Sequence, residues 1–131
     1  MGTISKRKEH ALYISKVQGA LVEAHAAAEA AVADFMQSAQ LNGEGLVIDG
    51  MGAAFVTAYR LKPRLRLALK SLREIERGDR GAWIVSNFSR HVPKAACQSI
   101  TAHRNACSAA AKILSQNLEG DAEFFAHGYD T

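Results

Sequence analysis

At 131 residues the chain has the length of one ordinary domain and is too short for two. Its apolar share of 48% includes 24 alanines, which bury little surface, so the larger side chains supply one core of closely approaching layers rather than a thick centre. A formal net charge of +3 permits a nucleic-acid or acidic-protein partner without requiring one, and no apolar run approaches the roughly 18 residues of a membrane span.

With only Pro63 and Pro93 as strong breakers and so much alanine, the composition favours helix. The expectation is an all-α, single-domain helical bundle over residues 1–131, with residues 1–8 as a basic arm. The chain starts with a basic cluster, Lys6, Arg7 and Lys8, and no apolar h-region follows before Glu9 and His10, so no secretory signal is read. Gly2 lacks the Ser or Thr that myristoylation requires, because Lys6 occupies that position.

Residues 3–40 read as one long alanine-rich helix. Ile14, Val17, Leu21, Ala24, Ala28, Ala31 and Phe35 alternate steps of three and four, a seam along one face. Thr3 or Ser5 caps its start, and Asn42-Gly43 ends it. The seam is covered either by a second copy, giving a homodimer through the N-terminal helix, or by a later helix of the same chain. A Gly-rich connector follows near 42–52, enclosing Leu46, Val47 and Ile48.

The next helical stretch runs from about 51 to 77, marked by Ala54, Ala58, Leu61, Leu65, Ala68, Leu72 and Ile75. Pro63 lies inside it and either kinks the helix or opens a second one; the unbroken apolar phase favours a kink. Asp79 caps a short helix over 80–91, although Trp83, Ile84 and Val85 would also suit a strand. Pro93 opens a last helix to about 118, with Ala96, Ile100, His103, Cys107, Ala110 and Leu114 on one seam. Cys97 and Cys107 lie ten residues apart on it, about 15 Å along the axis, too far for a disulfide. Two unbridged thiols and no leader point to the cytoplasm. Gly120 stops this helix. The tail aromatics Phe124, Phe125 and Tyr129 either close the core or dock on a partner.

Charge is strongly divided along the chain. Residues 60–94 carry ten basic side chains against three acids, a net +7, whereas 17–59 carry five acids and no Lys or Arg. At about 100° per residue on a helix, Lys62, Arg66, Lys70, Arg73 and Arg77 fall within an arc of roughly 80°. Such a stripe tracks phosphates; Arg60, Arg64 and Arg80 are additional contacts.

Chemistry-bearing motifs are absent by comparison. His103 and Cys107 stand at i and i+4, but two ligands make no metal site. The glycines at 43–52 lack the Lys-Ser/Thr of a phosphate loop. Glu74 and Glu76 fall on different helix faces, and Ser86, Ser89 and His91 lie outside any nucleophile elbow. No enzyme, metal or cofactor is therefore expected. The sequence points to a non-enzymatic, cytoplasmic binding protein that places its basic helix face on nucleic acid, largely without sequence preference. The alternative is a small adaptor or stoichiometric inhibitor docking that face on an acidic protein surface, with Trp83 or Phe88 as apolar anchors.

Overall fold

The computed structural model describes residues 3–130. A 36-residue helix α1 (Thr3–Ser38) comes first, then strand β1 (Gly52–Tyr59), helix α2 (Pro63–Ser71), and strands β2 (Ile75–Arg77) and β3 (Trp83–Val85). Two 3-10 turns, Phe88–His91 and Lys94–Ala96, lead to helix α3 (Ile100–Asn117) and strand β4 (Glu123–Asp130). The strands form a four-stranded antiparallel sheet in the order β2-β3-β1-β4. The all-α bundle is thus overturned: α3 lies between this sheet and α1, in a mixed α/β fold.

The first expected helix is present. Its seam residues Val17, Leu21, Ala24 and Ala28 are buried, facing fully buried Ala106 and Ala110 of α3. Alanine on both sides lets the two helices approach closely, and the partner on this seam is α3 of the same chain. Residues 3–8 of the expected basic arm are the first turns of α1. Residues 1 and 2, and the side chains of Thr3 and Ser5 with their capping, lie outside the described residues.

The stretch expected as a helix over 51–77 is instead strand, turn, helix and strand. β1 buries Ala54, Val56 and Ala58 and turns Phe55 and Tyr59 outward, the period-two alternation of a half-buried strand. Pro63 neither kinks a helix nor interrupts one: it is the first residue of α2, after extended Lys62. Leu65, Ala68 and Leu69 anchor that short helix in the core. The expected 80–91 helix is also absent. Asp79 begins a two-residue hairpin turn in which Arg80 and Gly81 both adopt positive φ and the Ala82 N–H donates to the Asp79 carbonyl at 3.0 Å. That turn matches strand twist and joins β2 to β3.

α3 starts seven residues after Pro93. Its N-cap is Ser99, whose hydroxyl accepts from the Ala102 N–H and donates to Asp49 Oδ2 at 2.6 Å. Asp49 also accepts from the Thr101 N–H at 2.8 Å. The Ser99 hydroxyl, with help from Thr101, pulls the Asp49 carboxyl down to about 2 against the opposing effect of burial. The connector is thereby tied to the helix start. Gly52 is needed where β1 passes α3: a Cβ there would come within 2.6 Å of the Tyr129 carbonyl and would strike Ile100. Asn42-Gly43, expected to end α1, lies beyond its last residue, Ser38, and forms a side-chain turn in which Asn42 Oδ1 accepts from the Glu44 and Leu46 N–H groups.

A buried carboxylate closes the opposite end. Asp121, 2% exposed, accepts from the Tyr13 hydroxyl at 2.6 Å and from Arg64 Nη2 at 2.8 Å. Its backbone carbonyl accepts from the Lys62 N–H at 2.9 Å. One residue thus joins α1, the start of α2 and the lead into β4. Burial pushes its carboxyl upward, but the bonds from Tyr13 and Arg64 and the charges of Arg64 and Lys62 outweigh this and hold it below the usual range.

Candidate nucleic-acid interface

The five residues expected on one helical stripe are divided by the fold. Lys62 precedes α2, and Arg66 and Lys70 are exposed on its outer surface. The helix then ends at Ser71, Arg73 takes a left-handed turn conformation with φ 57°, and Arg77 belongs to β2. No 80° arc exists. Part of the cluster re-forms across elements: Lys70 Nζ and the Arg77 guanidinium lie 5.6 and 5.4 Å from the centre of the Trp83 ring. Arg64, expected as an additional contact, is committed to Asp121 and stacks 4.6 Å above the Tyr13 ring. Arg60 is exposed and pairs loosely with Glu123 at 3.6 Å, while Arg80 occupies the β2–β3 turn.

The open face of the sheet is the feature that sequence reasoning missed. One face packs on α3; the other carries Phe55 and Tyr59 from β1 and Phe125 and Tyr129 from β4. Phe125 is 50% exposed and Tyr129 42% exposed, so these rings are presented rather than buried. They meet as diagonal cross-strand pairs, Phe55 with Tyr129 at 5.7 Å and Tyr59 with Phe125 at 5.8 Å. Phe124, their neighbour in sequence, points the other way and closes the core. Of the tail aromatics, Phe124 thus closes the core, whereas Phe125 and Tyr129 are exposed.

Grooves flank this aromatic ladder. One, of about 700 Å³, runs past Arg60, Lys62, Glu123 and Phe125; another, of about 430 Å³, is lined by Phe55, Tyr59, Arg77, Ile84, His127 and Tyr129. Cations from the expected cluster thus border the rings, with Glu119 and Asp79 among them. The signal that would have found the face is the alternate spacing of 55, 57 and 59 with 125, 127 and 129.

Other singled-out residues are also located. Phe88, suggested as a docking anchor, is 1% exposed and belongs to the core. His103 uses both ring nitrogens, on Ser89 Oγ at 2.9 Å and the Cys97 carbonyl at 2.8 Å. Cys107 is buried, which pushes its thiol up to about 11. Among the described residues, no third His, Cys, Asp or Glu joins His103 and Cys107 in a metal-holding group. Both cysteines are free. Among the described residues no helix is long and apolar enough to cross a membrane. No protein-family model, curated protein or solved structure matches the chain.

Proposed function

We propose that the protein binds single-stranded nucleic acid across the open sheet face, largely without sequence preference, in the cytoplasm. The ladder of Phe55, Tyr59, Phe125 and Tyr129 carries this reading. Unpaired bases stack on such surface rings whatever their identity, each stack contributing roughly 1–3 kcal/mol. Arg60 and Lys62 line a bordering groove and meet phosphates there. Trp83, the register partner of buried Ala58, lies with Lys70 and Arg77 on the opposite side of the sheet and takes no part in this face. Glu123 and Asp79 moderate the charge, so stacking supplies more of the affinity than counterion release.

Fluorescence anisotropy of labelled single-stranded DNA and RNA, with duplex DNA as comparison, tests this across a salt titration. Single strands bind and duplex, whose bases are already stacked, binds more weakly. Phe125→Ala with Tyr129→Ala weakens binding about 30-fold or more, at the lower end of two lost stacks. Changing Arg66, Lys70 and Arg73 together to Glu has a smaller effect, because Arg66 and Lys70 stand on the outer surface of α2. Absence of binding at low salt refutes the reading. Unchanged binding by the aromatic variant alongside loss in the triple Glu variant moves the site to α2.

A protein partner is the second reading. It draws on an exposed apolar patch, Leu41, Leu46, Ile48 and Met51, on the connector and its flanks. Affinity capture with Ile48→Asp as control separates it: loss of a partner in that variant, with nucleic-acid binding intact, supports an adaptor.

A further inference from the structure

Outside the sheet face, one cluster joins residues that the sequence keeps far apart. His25, half-buried on α1, stacks on Phe88 with ring centres 4.4 Å apart. Its Nε2 lies 2.8 Å from Ser86 Oγ, and its Nδ1 lies 2.9 Å from Nε2 of His91. The two bonds are mutually consistent. When the Ser86 hydroxyl donates to Nε2, the His25 Nδ1–H donates to His91, which fixes both the tautomer and the plane of the His25 ring. A hydroxyl, a base and a group orienting the base make the general pattern of an activated nucleophile.

Ser86 has two further properties of such a group. Its φ of 54° is left-handed, a strained conformation that a residue with a side chain keeps only where its surroundings enforce it, as at Arg60, Arg73 and Arg80. It also lines an open cleft of about 190 Å³ together with Arg73, Glu74, Ile75, Glu76, Ile84 and Asn87. Arg73 and Asn87 are the donors lining that cleft, and the Glu74 and Glu76 carboxylates line it beside them.

We propose that Ser86 is an acyl-accepting nucleophile, with His25 as its general base and His91 as a positioning residue, acting on esters of small carboxylic acids. The Ser86 Oγ–carbon bond forms as the hydroxyl proton passes to His25 Nε2. The tetrahedral adduct collapses, the ester C–O bond breaks, and the leaving alkoxide takes that proton. Water then adds to the acyl group with His25 again accepting the proton. The Oγ–carbon bond breaks, releasing the acid and restoring the hydroxyl. The small cleft limits the acyl group to a few carbons. Burial, then the charge of Arg90, lowers the His25 proton affinity to about 4 against the opposing effect of Glu74, so the ring is neutral at neutral pH and its Nε2 lone pair faces the Ser86 hydroxyl. This activity is independent of nucleic-acid binding.

A fluorophosphonate probe on the full chain, read by peptide mass spectrometry, tests the assignment, with release of nitrophenol from p-nitrophenyl acetate as the kinetic readout. The adduct is expected on Ser86, displacing fluoride. It is absent in Ser86→Ala, slowed about 100-fold or more in His25→Gln, and unchanged in Ser89→Ala. The labelling rate of the wild-type chain stays level from pH 8 to 5 and falls near pH 4, where an ordinary histidine base would have failed near 6.5. A folded wild-type chain that takes no label, labels elsewhere, or loses its rate near pH 6.5 overturns the proposal without reliance on any variant.

Discussion

Removal of the Asp121 carboxylate is the sharpest test of how the ends of the fold are held. Asp121→Ala deletes the acceptor shared by Tyr13 and Arg64. Arg64, with its side chain 59% exposed, regains water, so the loss of its bond costs little. The Tyr13 hydroxyl differs: it is half-buried and loses a 2.6 Å bond to a carboxylate, a type of bond that contributes about 1.5–3 kcal/mol. The space left by a side chain only 2% exposed adds to this, and the sum is about 3 kcal/mol. Unfolding 131 residues at about 2.1 cal/mol/K each gives an entropy near 0.28 kcal/mol/K, so Tm falls by about 10 °C. Asp121→Asn keeps the shape and can meet both partners, so its loss is nearer 1 kcal/mol. Because the folded carboxyl is held below its usual range, its contribution is complete above about pH 4 and fades as pH falls through the lowered value. Thermal melts of the three proteins from pH 7 to 2.5 should therefore show the gap between wild type and Asp121→Ala closing in acid. An Ala variant that melts within 2 °C or so of wild type, or an Asn variant as damaged as the Ala variant, would refute the reasoning.

Two other effects are measurable in the same way. His25 stays neutral in the fold down to about 4, whereas in the unfolded chain it takes a proton near 6.5. The unfolded state thus binds more protons between those values, and stability drops as pH falls through them. Discounted for the solvent access of a half-buried ring, the difference is about 2 kcal/mol, and urea melts of His25→Gln should lack that slope. Gly52→Ala drives a methyl group against the Tyr129 carbonyl and Ile100, and should cost about 1–3 kcal/mol by chemical denaturation; an unchanged midpoint would mean that β1 and β4 separate freely at that end.

The long first helix was legible because its seam repeats through Val17, Leu21, Ala24 and Ala28 with no proline, and no short-range alternative competes. β1 was misread for a specific reason. Ala54 and Ala58 are four residues apart, a separation that satisfies one helical turn and two strand repeats equally well. The deciding residues were Phe55, Val56, Thr57 and Tyr59, whose β-branched and aromatic character argued for strand and was outweighed by alanine. The same ambiguity let the apolar phase run across Pro63 by coincidence. Near Trp83 the strand alternative was visible beforehand, but Asp79-Arg80-Gly81 was not read as a hairpin turn.

For the candidate sites, composition supplied the cations and the loose grouping of Ser86, Ser89 and His91. It could not supply His25, which reaches Ser86 from 61 positions away. By itself the sequence determined the length, the alanine seam, the charge division and the presence of unbridged thiols, because each is a property of residue type or of neighbours within a few turns. The tertiary structure alone decided that the basic residues leave one helix, that β1 and β4 pair in a register aligning four aromatic rings, and that two histidines converge on one serine. Those outcomes depend on which distant strands and helices meet, and that is set by summed burial over the whole chain rather than by any local pattern.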